Sequence, residues 1–165
     1  MHTVGRIPVS WNDSYKEFAY VKQPVTDQEI KTWEAKGYKN ISYTGSLYDN
    51  TNPMPEFVNK IKNDLDPRLT HATFTFYKMV TLDIMPEHLD HFKRYCELFN
   101  CRPENVQRYL VFLENWKPGH YFEIEGNGII NWQAGDFVQW GHTTPHAASN
   151  IGTAPRYTLQ VTTHD

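Results

Sequence analysis

Cysteine is scarce in this chain. Of 165 residues only Cys96 and Cys101 are cysteine, and they do not form a Cys-x-x-Cys pair. That excludes a disulfide-stapled scaffold or a thiolate zinc ribbon. One disulfide at most can form, and reduced thiols in a cytoplasmic protein are the expectation. No hydrophobic run approaches the length needed to cross a bilayer. Residues 1–11 lack the apolar core of a secretory signal. An excess of positive charge is also missing: the net charge is −3, so no nucleic-acid or membrane partner is expected. There are no repeats, low-complexity tracts or obvious linkers.

What is abundant is aromatic side chains, at 15 % of the residues, a share that suits a sheet-rich fold with a lined pocket. The length predicts one domain over residues 1–165, large enough to bury a core unaided. Residues 26–36 read as a helix, with Thr26 as N-cap, Glu29 at capping-box spacing and Gly37 as the stop. Residues 55–65 read as a second, through the apolar stripe Phe57, Val58, Ile61 and Leu65. From residue 71 the pattern turns to strands: 73–82 (TFTFYKMVTL), 108–113, 120–124, 137–140 and 156–162, with a helical stretch at 90–99. The expectation is a mainly β (α+β) protein, an all-β barrel or double sheet over residues 71–165. Residues 1–70 form a helical and irregular extension whose two helices cover one sheet from outside.

The pattern His88-Leu89-Asp90 places an imidazole and a carboxylate on one face of an extended segment. Two His and one carboxylate form the facial triad of non-haem iron sites, which leaves coordination positions open for substrate and O₂. His146 is the expected third ligand. Taken alone, His-x-Asp is weak: in a chain this rich in His and Asp roughly 0.4 matches arise by chance. In a second reading Asp90 caps the helix that follows. The segment HAASNIGTAPRYTLQV carries more weight. A three-residue hairpin loop at 150–152, with Gly152 in the left-handed position, puts Ser149 opposite Thr153 and His146 opposite Arg156. The guanidinium would then share a face with the metal ligand, ready for a bidentate grip on a carboxylate. His142, four residues before His146, reads as a rim residue, because Pro145 and the β pattern argue against a helical zinc pair.

The order His88-x-Asp90, then His146, then Arg156 ten residues later resembles the Fe(II)/2-oxoglutarate-dependent dioxygenase superfamily. The segment RYLVFLENWKPGHYFEI from Arg108 resembles its prolyl-4-hydroxylase-like branch, although Leu113-Glu114-Asn115 and Pro118-Gly119-His120-Tyr121 replace that branch's Leu-Asn pair and Gly-Gly-Glu-Thr. The resemblance covers about residues 72–163, and the small size is similar to that of compact oxygenases of phage genomes. It implies a double-stranded β-helix of the jelly-roll or cupin-like kind. Fe(II) would be held by His88, Asp90 and His146, and 2-oxoglutarate anchored by Arg156, with O₂ as the oxidant. The implied activity couples oxidative decarboxylation of 2-oxoglutarate to succinate and CO₂ with hydroxylation of a small molecule or peptide. Tyr77 would donate to the co-substrate carboxylate and Thr158 would line its pocket, with Gln160 on the same face. Only one of Arg108 and Tyr109 can face the pocket. Trp140 is expected to pack in the core or to shape the mouth, and the N-terminal region, with Tyr43, Tyr48 and the loop 50–55, to overhang it as a lid. Two other readings keep the barrel: a cupin-like metal enzyme that does not use 2-oxoglutarate, and a non-catalytic small-molecule-binding barrel. The oligomeric state is left open.

Overall fold

The computed structural model describes residues 1–164. Its elements are β1 (His2–Arg6), β2 (Val21–Lys22), α1 (Asp27–Ala35), β3 (Ser42–Tyr43), β4 (Ser46–Asp49), α2 (Phe57–Leu65), β5 (Thr73–Met79), β6 (Asp83–His88), α3 (Lys93–Phe99), β7 (Val106–Phe112), β8 (His120–Ile124), β9 (Asn127–Ile129), β10 (Asp136–Gly141), β11 (His146–Asn150) and β12 (Arg156–His164). The strands form a seven-stranded sheet in the order β1-β10-β7-β12-β5-β4-β2 and a five-stranded sheet in the order β3-β6-β11-β8-β9. From β5 onward the chain changes sheet at almost every connection, and only β8 and β9 follow one another within a sheet. Two four-stranded faces, β10-β7-β12-β5 and β6-β11-β8-β9, are therefore wound together. Apart from the β8–β9 hairpin, the strands of these two faces pair with partners that are not their neighbours in the chain, and pairs along both sheets are antiparallel except β3 with β6.

Strand alternation decides what each face carries. Along β12 the side chains of Tyr157, Leu159 and Val161 point out of the barrel. They join Phe74, Phe76, Tyr109 and Val111 in an apolar layer that Val58 and Ile61 of α2 and Tyr15 of the N-terminal segment cover. The alternate residues Arg156, Thr158 and Gln160 face a cavity between the sheets. The usual polarity of a half-buried strand is thus inverted, because the outer face is roofed and the inner face holds the site. A second apolar group, with Leu110, Phe112, Phe122, Ile124, Trp132, Val138 and Trp140, closes the barrel interior.

Helix α1 forms as expected, with the full Thr26–Glu29 capping box and Gly37 at φ +106° beyond its end. Four other expectations need correction. Only α2 roofs the large sheet; α1 turns Trp33 against Tyr43 and lies along the mouth of the barrel. The first 70 residues are not merely a helical cover, since β1 extends one edge of the large sheet, β4 and β2 extend the other, and β3 joins the small sheet. The run at 73–82 is not one strand: Leu82 at φ +71° and an Asp83 carboxylate accepting from the Val80 N–H at 2.9 Å make a turn, and β6 departs into the other sheet. The helical stretch begins at Lys93 rather than at residue 90, with Phe92 in the N-cap position and no side-chain cap. Asp90 is therefore not a helix cap.

Candidate metal centre

His88 ends β6 and His146 begins β11, and the two are direct cross-strand partners. Asp90 follows β6 by two residues, with the exposed Leu89 between. One ligand atom from each of His88, Asp90 and His146 lies within 4.8 Å of the others, and this is the group among the described residues that is placed to hold a metal ion. His142 stays outside it. His88 Nε2 is 4.0 Å from Asp90 Oδ1 and His146 Nε2 is 3.6 Å from Asp90 Oδ2. Each imidazole is oriented in the same way. Nδ1 of His88 contacts the Pro86 carbonyl at 2.8 Å and Nδ1 of His146 contacts the Thr144 carbonyl at 3.0 Å. A carbonyl can only accept, so Nδ1 carries the proton and Nε2 is left as a lone pair directed at the shared centre. Burial pushes His146 down to about 4, which keeps it neutral, as a ligand must be.

Asp90 is held from the opposite sheet. Trp140 Nε1 donates to its Oδ2 at 3.0 Å, and Arg108 Nη1 lies 3.0 Å from its Oδ1. Burial pushes the Asp90 carboxyl up, but Arg108 foremost outweighs that, and the group is held below the usual carboxylate range. Arg108 and Trp140 are themselves cross-strand partners on β7 and β10. Neither was assigned this role from the sequence. The alternation along β7 was legible, and the structure resolves it: Arg108 faces the cavity and Tyr109 the outer layer.

A cavity of about 80 Å³ runs from this triad to Arg156, Thr158 and Tyr77. Arg156 is 3 % exposed. Its Nε and Nη2 have no hydrogen-bond partner, and Nη1 reaches only the Met79 thioether at 3.3 Å. The faces of Phe112, Phe122 and Trp132 surround it at 5.7, 5.8 and 5.5 Å. Burial lowers its pKa to about 10, so it remains a cation at neutral pH. The Thr158 hydroxyl is also buried without a partner. Tyr77 stands opposite Thr158 on β5; its oxygen accepts from the Gly45 N–H at 2.6 Å, which leaves its own proton to donate. Burial pushes the Tyr77 phenol up, so that proton stays on. A buried cation with orphaned donors beside two spare hydroxyl protons is a set of donors that suits an anion.

The hairpin expected between His146 and Arg156 does not exist. β11 pairs with β6 and β8, and β12 pairs with β5 and β7. Asn150, fully buried, organises the crossing between sheets by donating to the carbonyls of Met79 and Ala154 at 2.9 and 2.8 Å. His146 and Arg156 line the same cavity because they face each other from opposite sheets, not because they share a face. A wider groove of about 720 Å³ adjoins His88 and Asp90 on the outside, walled by Gln23, Pro24, Trp33 and Lys36 on one side and by Glu87, His91 and Pro145 on the other. Tyr48 and residues 50–55 are not its lid: Tyr48 stacks on Phe18 over the large sheet.

No protein-family model matches this sequence, and no curated protein matches it. Solved structures do. A non-heme alpha-ketoglutarate-dependent carbocyclase from nogalamycin biosynthesis superposes with a TM-score of 0.55 at 13 % identity, over 92 % of this chain and 81 % of that one. A Pseudomonas putida prolyl-4-hydroxylase superposes with a TM-score of 0.53 at 16 % identity, over 83 % and 82 %. At such identities the likeness speaks to architecture. A cupin protein from Bacteroides fragilis is also similar, with a TM-score of 0.44 at 13 % identity, over 89 % and 86 %. The winding of its two sheets, with the carbocyclase and prolyl-4-hydroxylase superpositions, gives the chain a double-stranded β-helix fold.

Proposed function

We propose that this protein is an Fe(II)- and 2-oxoglutarate-dependent oxygenase. It would convert 2-oxoglutarate, O₂ and a substrate C–H into succinate, CO₂ and a C–OH. The observation that carries the proposal is Arg156: a buried guanidinium with two nitrogens lacking partners, lining the cavity whose other end is the His88, Asp90, His146 group. A dicarboxylate that chelates at one end and needs a cation at the other matches both ends. The donor set fits iron, since two imidazoles and one carboxylate leave positions open. Iron, when bound, supplies the sites at which the 2-oxo acid and O₂ react.

The chain's own residues do the rest. His88, Asp90 and His146 fix the ligand geometry through their carbonyl, Arg108 and Trp140 contacts. Arg156 grips the distal carboxylate, with Tyr77 and Thr158 donating beside it. Phe112, Phe122 and Trp132 keep water from that end, which strengthens each of these contacts. The oxidised group, on a small molecule or short peptide of cytoplasmic origin, enters through the groove between α1 and the end of β6.

The test is succinate formation from 2-oxoglutarate with Fe(II) and a metabolite and peptide panel. Asp90→Ala is expected to abolish it, and Arg156→Lys, which loses the planar fork, to raise the KM for 2-oxoglutarate by about 10-fold or more. Metal binding by the native protein with no succinate from any member of the panel, and no binding of 2-oxoglutarate, would move the assignment to a cupin-like enzyme without that co-substrate.

A further inference from the structure

The contact between Arg108 and Asp90 is unusual in its charge. A carboxylate that is to bind a dication already has a guanidinium on it, 3.0 Å from Oδ1. Arg108 is not a chance surface neighbour. Its side chain is 20 % exposed, its Nε donates to Thr162 Oγ1 at 3.2 Å, and it lies over the Phe92 ring at 4.9 Å. Trp140, its partner across the β7–β10 pair, holds the other oxygen at 3.0 Å with a neutral N–H. The two donors therefore do the same geometric work but different electrostatic work. Both orient the carboxylate, but only Arg108 also neutralises it.

We infer that Arg108 is a positioning residue that acts as a permanent countercharge for Asp90, building the site before metal enters and holding metal affinity down, whereas Trp140 only orients the ligand. This rests on the reading of His88, Asp90 and His146 as metal ligands. The physical reasoning has two parts. A carboxylate largely removed from water needs a cation, and stranding one is strongly destabilising. Once a dication binds, it takes over that task, so the guanidinium becomes a repulsive neighbour rather than a needed partner. By linkage, a residue that stabilises the metal-free form more than the loaded form must weaken metal binding by the same factor.

The experiment measures thermal unfolding of the chelator-treated protein with and without Mn(II), and the Mn(II) Kd by calorimetry, for the native chain and five variants. Arg108→Met is expected to lower the metal-free Tm by about 5–15 °C, to regain most of this when Mn(II) is added, and to bind Mn(II) about 10-fold more tightly. Arg108→Lys keeps the charge and is expected to stay near the native Tm and Kd. Trp140→Phe keeps the ring against His146 but loses the donor, and is expected to bind Mn(II) about 10-fold more weakly. In an Asp90→Asn background, where no charge is left to balance, Arg108→Met is expected to cost little. A Tm loss equal with and without Mn(II), or an Arg108→Met Kd unchanged or weaker than native, would overturn the inference while the native response to Mn(II) left the metal site standing. Absence of any native response to Mn(II), or one that Asp90→Asn retains, would overturn the metal reading and the inference with it.

Discussion

Arg156 makes a prediction with opposite signs for stability and for binding. Arg156→Met keeps a long flexible side chain between Phe112, Phe122 and Trp132 but removes the charge and the orphaned donors. Burying the guanidinium costs several kcal/mol of hydration. The three aromatic faces return about 2 kcal/mol of that, and the Met79 thioether is a weak acceptor. The lowering of its pKa to about 10 by burial still leaves the charge in place at neutral pH. The variant should therefore be about 1–3 kcal/mol more stable than the native chain without ligand. At roughly 2–4 °C per kcal/mol for a chain of this size, its Tm should rise by about 2–12 °C. With metal present and 2-oxoglutarate at 100 times its Kd, the native chain should gain about 2.7 kcal/mol and the variant nothing, so the order of stabilities narrows or reverses. Differential scanning fluorimetry with and without 2-oxoglutarate reads both effects. A variant less stable than the native chain in the absence of ligand would show that Arg156 serves the fold. A variant that still responds to 2-oxoglutarate would place the anchor elsewhere.

Further predictions concern pH and the backbone. Burial holds His146 near 4, against about 6.5 in the unfolded chain. Between these values the unfolded state binds the proton, so the stability this group contributes is complete above pH 6.5 and is lost as pH falls towards 4, by about 3 kcal/mol in all. Urea midpoints of the chelator-treated protein at pH 7 and 4.5 should show this loss, and His146→Gln should show a smaller one; identical pH dependence in the two would sink the argument. Gly119 sits at φ +91°, and a Cβ there would overlap the backbone of Gly152. Gly119→Ala is expected to cost upwards of about 3 kcal/mol through strain and steric overlap, read as a lower urea midpoint; a change within about 0.5 kcal/mol would mean that the crossing between β11 and β12 has room to move.

Local signals in this sequence were read correctly where the determining atoms are close in the chain. The α1 capping box is closed by residues three apart, and the bounds of β8 were legible from its own alternation. His88, Asp90 and His146, the group placed to hold a metal ion, were legible as residue types at a spacing. Arg156, Thr158 and Tyr77 also line the cavity, but a hairpin does not put them there. Parity within a supposed hairpin put His146 and Arg156 on one face, whereas β11 and β12 belong to different sheets and the two residues meet across the barrel. The turn at Leu82 stayed hidden in a run of strand-forming residues, because a left-handed residue other than glycine leaves little local trace.

The chain by itself determined which residues alternate, where helices start, and which side chains can hold a metal or a carboxylate. Those properties depend on covalent order and on side-chain chemistry. Only the tertiary structure decided which sheet each strand joined, and so which alternate face was inside, because most strands' neighbours come from distant segments. It alone showed Arg108 and Trp140 reaching across from the large sheet to Asp90, a contact between residues 18 and 50 positions from that ligand. No periodicity or spacing rule relates them. Winding two sheets around one cavity brings them together, and the low dielectric of that cavity makes a single guanidinium on Asp90 matter.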